Sequence, residues 1–322
     1  MARVRAPTKQ ARTTAAKLLA AIHADVRDLA ARGVYADVLQ ELGDPRGELI
    51  ALQLQRGATG KPTDRELELL TKLRAAWLGP LAPMLATKSR FVNGFLTVVV
   101  MQPYRQVLTA ATLEHPEWQT VEVVDTHGLG TIARLAAEPA VLVPRLPHLR
   151  ELSIDALGSI PALERGIDRA DLTSLAVSLP GTDPLLSLLR SKKLPKLRAL
   201  RVWNEDPGPD VLVRLASATP LDSFGCFLDT TAPARAAIAI GKLMRAVATL
   251  TITCTWGKAR ITSTPEGMHV TRVEISRSIG RERGAALRGL LDQLGRERVT
   301  VAADPPMPDV MKQLVAAGFR RA

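Results

Sequence analysis

Six residues in the middle of the chain, Gly128-Leu129-Gly130-Thr131-Ile132-Ala133, have the Gly-x-Gly-x-x-Ala spacing of a strand-to-helix turn that sets backbone N–H groups against a pyrophosphate. Asp155, 27 residues after Gly128, stands where an acid would hold a ribose. Strand, tight turn and helix also arise in any alternating strand-helix chain. The spacing therefore leaves two readings, a nucleotide-binding enzyme or a plain connection. His23, His115, His127, His148 and His269 are scattered, with no His-Glu-x-x-His or paired-cysteine spacing for zinc. No Gly-x-Ser-x-Gly elbow, Walker loop or Ser/His/Asp arrangement is visible. No residue is assigned a catalytic, cofactor-binding or metal-binding role, and a protein that is not an enzyme is expected.

Arginine offers more. Arg272, Arg277, Arg281, Arg283 and Arg288 crowd one region near the C-terminal end, with Arg296 and Arg298 beyond, and Lys192, Lys193 and Lys196 form a smaller cluster upstream. Phosphates attract such charges. The net charge of +11 sits at the ends: residues 1–20 carry five basic and no acidic side chains, and residues 231–322 carry 15 basic against seven acidic. Nucleic acid or another polyanion is thus one candidate partner. A solvated Arg-rich surface explains the same charges, and neither aromatic stacking platforms nor a nucleic-acid module accompanies them.

The elements that must carry these residues fall into two classes. From Ala11 to about Leu85 the apolar spacing is helical. Leu18, Leu19, Ile22, Val26 and Leu29 form one stripe, with Gly33 as its expected stop. A second helix covers about Tyr35 to Leu42. Asp44 then reads as an N-cap with Pro45 at the first helical position, and Thr63-Asp64-Arg65-Glu66 as a capping box before a fourth helix.

Beyond, an L-x-x-L-x-L pattern repeats. "LRELSI" begins at Leu149, "LTSLAV" at Leu172, "LRALRV" at Leu197 and "LDSFGC" at Leu221, with steps of 23, 25 and 24 residues. Looser copies begin at Trp118, Val247, Val270 and Arg296, with a degenerate one at Val92. Segments of helical spacing separate them, so each unit supplies a strand and a helix that bury their apolar faces only by stacking on neighbours.

Residues 35–55, "YADVLQELGDPRGELIALQLQ", raise a separate question. Gly43-Asp44-Pro45-Arg46-Gly47 is either the corner between two helices, with Asp37 or Glu48 pairing to Arg46, or part of a cation site with Asp37, Glu41, Asp44 and Glu48. The segment resembles the short bacterial repeat-companion domain over about residues 13–57. Tyr35, Ala36, Asp37, Leu39, Gly43, Asp44, Pro45, Gly47, Glu48 and Gln53 match, and Val38 stands where a Trp is usual. From about residue 88 the chain is similar to leucine-rich-repeat proteins of the strand-plus-helix type. It departs at the ninth position of each copy, where Leu157, Pro180, Glu205 and Asp229 replace the usual Asn or Cys. These resemblances imply an architecture and no activity.

The sequence therefore predicts an α/β fold: a basic tail (1–12), a helical repeat-companion domain (13–87) and a degenerate leucine-rich-repeat-like solenoid (88–322). Only 3 % of residues are aromatic, so aliphatic side chains must fill the core. Apolar runs such as Val98-Val99-Val100-Met101 fall far short of the roughly 20 residues that span a bilayer, so no membrane span is expected. Cys226 and Cys254 alternate with apolar residues, as buried hydrophobes do, which fits a reducing cytoplasm. The first functional reading is protein binding on the sheet face through Glu122, Glu151, Ser153, Ser174, Arg201 and Trp203, with an unidentified protein partner. The alternative is polyanion binding through the basic ends, and the third reading is a nucleotide-binding enzyme.

Overall fold

The structure, a computed structural model, describes residues 9–58, 60–102, 109–126, 141–154, 171–178, 182–203, 207–229, 231–254, 257–264, 267–275, 289–290, 292–293, 300–301 and 320–321. It is a mixed α/β protein with mostly parallel strand pairing and divides into two compact units, residues 1–130 with 138–150 and residues 131–137 with 151–322.

The first unit opens with α1 (Lys9–Ala24), α2 (Leu29–Glu41), α3 (Pro45–Arg56) and α4 (Asp64–Leu78). The stripe read as one helix from Leu18 to Leu29 is broken. Asp25 accepts a hydrogen bond from Arg27 N (2.9 Å) and Asp28 from Ala31 N (2.8 Å), so local carboxylate-to-backbone bonds end α1 and cap α2. Gly33, expected as a stop, lies inside α2. The other caps follow the sequence: Asp44 accepts from Arg46 N, and Thr63 and Glu66 form the capping box of α4. Gly47 sets the spacing of α2 and α3, because a Cβ there would lie 2.6 Å from Ala36 O and 2.9 Å from Leu39 Cβ. Ile22, Tyr35, Leu39, Ile50 and Phe95 pack at the centre.

Two strands follow, β1 (Arg90–Val92) and β2 (Phe95–Val100), joined by Asn93 and Gly94. Both turn residues have positive φ, 51° and 79°, as a two-residue type I′ hairpin requires. The degenerate copy at Val92 is therefore divided by a reversal: β1 is antiparallel to β2, and only β2 runs parallel to the next strand, β3 (Val123–Asp125). The helices cover the free edge of β1, a position that proteins commonly protect. Gln53 Nε2 donates to Phe91 O (3.3 Å) and Arg32 Nη1 to Val92 O (3.1 Å). A short helix, α5 (Ala110–Leu113), precedes β3.

In the second unit, β4 (Glu151–Ile154), β5 (Ser174–Ser178), β6 (Ala199–Trp203), β7 (Ser223–Phe227) and β8 (Thr249–Cys254) pair in parallel and in chain order. Between them lie α6 (Thr182–Arg190), α7 (Pro209–Ala216) and α8 (Pro233–Leu243). The leucine pattern faces inward in every clear copy: Leu152 and Ile154, Leu175 and Val177, Leu200 and Val202, and Phe224 and Cys226 are buried. Leu185 and Leu189 of α6, Leu212 and Leu215 of α7, and Ile240 and Leu243 of α8 are buried too.

The parallel run stops at β8. The next strand, β9 (Gly257–Thr264), is antiparallel to it, and β10 (Gly267–Ile275) is antiparallel to β9. The copy at Val270 is thus the second arm of a hairpin, paired antiparallel with β9 instead of in parallel with β8. Only two residues separate Cys254 from Gly257, and a parallel return needs about a dozen or more. Last come β11 (Thr300–Val301) and β12 (Arg320–Arg321), a parallel pair.

Candidate functional site

Inward leucines leave the alternate positions of β4 to β8 facing away from the helices. Parallel pairing puts these residues in rows. Glu151, Ser174, Ala199, Ser223 and Thr249 are register neighbours, as are Ser153, Ala176, Arg201, Gly225 and Thr251. Ser178 and Trp203 pair beyond them, and Phe227 pairs with Thr253. Hydroxyls dominate the face, each able to donate and accept a hydrogen bond.

Arg201 is exposed and lies across its neighbour: a Cβ on Gly225 would come within 3.0 Å of Arg201 Cγ and 3.4 Å of its Nε. Gly225 therefore makes room for the guanidinium to extend over β7. Trp203 is half-buried, an aromatic body seated at the end of β6. Together they place a planar cation and an apolar ring among hydroxyl groups, a set suited to binding and without a nucleophile-base pair.

Five of the six sequence-predicted contact residues, Glu151, Ser153, Ser174, Arg201 and Trp203, lie on β4, β5 and β6. Glu122 is the sixth. It belongs to the first unit, where Arg150 Nε stands 3.2 Å from its carboxylate. Strand alternation alone did not single out Gly225, Thr251 or Phe227, whose importance comes from cross-strand register.

Of the basic candidates, Arg272 lies on β10 in register with Arg260, which in turn pairs with Thr251. Arg277, Arg281, Arg283 and Arg288 lie outside the described residues, as do Gly128–Ala133 and Asp155. Lys196 is paired to Asp171 at 2.5 Å. Cys226 and Cys254 are buried thiols. Among the described residues no group of His, Cys, Asp or Glu is arranged to hold a metal, and no helix is long and apolar enough to cross a membrane.

The Gly-Asp-Pro-Arg-Gly turn is a corner. Asp44 caps α3, Asp37 and Glu41 are exposed, and Glu48 bonds Arg65 through both carboxylate oxygens (2.7 Å each). The expected pairing of Arg46 with Asp37 or Glu48 is replaced by a longer-range one. Arg46 turns inward, donates from Nε to Gly94 O (2.9 Å) and sets Nη2 2.6 Å from Glu117 Oε1. Its guanidinium also lies 5.0 Å from the Phe95 centroid and 5.9 Å from that of Trp77, so aromatic faces draw it away from the solvent-side acids. Nearby, burial pushes the His23 and His115 pKa values down, with Glu117 opposing in both cases.

Comparison with protein-family models, with curated proteins and with solved structures finds no match to this chain.

Proposed function

We propose that the chain is a non-enzymatic interaction protein, a leucine-rich-repeat-like solenoid behind a repeat-companion domain, that binds a protein partner on the outward face of β4 to β8. The observation that carries this reading is the register of that face. Arg201, given room by Gly225, and Trp203 stand within rows of small and hydroxyl-bearing residues. Arg and Trp are the side chains most often found to dominate binding energy, and the small neighbours leave a partner access to them. The buried thiols fit a reducing compartment, the cytoplasm.

The test is affinity capture from the native cell with the full chain and with Arg201→Glu and Trp203→Ala variants. The expected outcome is a partner whose binding weakens about tenfold or more in each variant. Retention of every captured protein by both variants would end the sheet-face reading.

Polyanion binding is a second reading, favoured by one observation: Arg260 and Arg272 are register neighbours on β9 and β10. Heparin or duplex DNA titrated over a salt series tests it, because each neutralised phosphate of duplex DNA steepens the salt dependence. No binding even at low salt would sink this alternative.

A further inference from the structure

The first unit carries a groove of about 840 Å³ between α4 and β1. One wall is a helical stripe of α4, Leu67, Leu70, Arg74 and Leu78, at spacings of three and four. Phe91 and Val92 of β1 form the other, and Leu29 of α2 closes one side. The apolar surface continues onto the rim: Leu67 is 50 % exposed, Leu29 53 % and Val92 38 %. Three large apolar side chains this wet around one concavity mark a place where something else packs.

Charge says what. The acid in the groove, Glu66, is buried and already paired with Arg56 (3.1 Å). Arg74 has no such partner among the described residues. Its Nη2 donates to the neutral carbonyl of Ala86 (2.8 Å), while its Nε is buried without a hydrogen bond. Burial lowers its pKa, and no carboxylate offsets the effect. Arg90, exposed on β1, adds a second cation to the lining. The Arg74 side chain is only partly buried, so a carboxylate arriving with apolar surface can pair with it beside the apolar walls.

We propose that this groove binds an amphipathic helix of a partner protein, with leucine-like side chains along the stripe of α4 and a flanking Asp or Glu that meets Arg74. A small apolar acid fits less well, because it would leave the rim positions Leu29 and Leu67 in water. The chain's own residues 1–20 have the wrong sign, with five basic and no acidic side chains. From Leu67 to Leu78 the stripe is about 16 Å long, which matches three turns of a docked helix. The inference concerns the first unit alone and does not rest on the sheet-face reading.

Fluorescence anisotropy of the full chain tests it with two labelled helical peptides of about sixteen residues, long enough to form a helix. They share one leucine stripe, flanked by Glu in one and Lys in the other. At about 0.3 M salt, where long-range attraction is largely screened, the Glu peptide should bind about tenfold more tightly than the Lys peptide. Leu67→Asp should abolish binding, and Arg74→Gln should remove the preference for Glu. Leu29→Asp, at a second exposed position, repeats the apolar test should Leu67→Asp disturb α4. Arg201→Glu should leave peptide binding unchanged. Equal binding of both peptides, or undiminished binding by the folded Leu67→Asp and Leu29→Asp variants, would overturn the proposal.

Discussion

Arg46 enters the first unit through the corner between α2 and α3 and ends against a carbonyl, a carboxylate and aromatic rings. Its side chain is 15 % exposed and that of Glu117 6 %, so the pair is shielded from solvent. Removing one member strands the other, and breaking such a pair costs about 3 kcal/mol. Arg46→Met should lower the urea-unfolding free energy by that amount. Arg46→Met combined with Glu117→Gln should lose less than the sum of the single changes, since no charge is left stranded. Histidine gives a second residue-scale expectation. Burial holds His23 and His115 below 6.5 in the folded state, so the unfolded chain takes up the proton first as pH falls. The stability they contribute is complete above about pH 6.5 and is lost below it, levelling off under their folded pKa values. Protonation of His115 also removes the Nδ1 acceptor for Glu117 N (3.3 Å). Thermal melts between about pH 7.5 and pH 5 should therefore show a smaller acid-induced loss in His115→Asn than in the unaltered chain. An equal loss would assign the effect to other groups.

The β1–β2 hairpin shows what short-range sequence signals can and cannot reveal about elements. Asn93-Gly94 is a strong hairpin signal, yet it sits inside an L-x-x-L-like stretch, where a search for repeats reads straight through it. Positive φ at Gly94 and the Ile50 side chain against its Cα make glycine obligatory there. Gly94→Ala should cost about 3 kcal/mol from backbone strain and overlap with Ile50, whereas Asn93→Gly should change stability by less than about 1 kcal/mol. Denaturant midpoints of the two variants check this contrast, and equal midpoints would remove the type I′ assignment. The caps of α3 and α4 were legible because a cap is a contact across two or three residues. The break between α1 and α2 was hidden because the apolar spacing of Ile22, Val26 and Leu29 runs on, while Asp25 and Asp28 bond the backbone and end the helix. Arg46 with Glu117 was not legible, since nothing local to either residue names the other.

Over the whole molecule, periodicity carried the parallel strands from β4 to β8, because the two-residue alternation recurs in each and, from β5 to β8, a helix long enough to return the chain lies between successive strands. It failed at Val270, where the alternation persists but the chain has reversed twice, first into β9 after Cys254 and then into β10, so that this copy pairs antiparallel with β9. The same limit applies to the candidate site. Alternation placed Glu151, Ser153, Ser174, Arg201 and Trp203 on strands, but it could not assign Glu122 to the first unit or find Gly225 beneath Arg201. The turn from parallel to antiparallel brings Arg260 and Arg272 into register, and it separates the two functional readings. A partner that engages the sheet face depends on Arg201 and Trp203 and is indifferent to salt beyond its rim charges. A polyanion depends on how many cations it meets. For duplex DNA, Arg260→Glu with Arg272→Glu should reduce the slope of log affinity against log salt by about two, while Trp203→Ala leaves that slope unchanged. Protein capture should show the opposite dependence. A DNA slope insensitive to the double variant would remove β9 and β10 from the polyanion reading and leave the basic residues outside them to account for any such affinity.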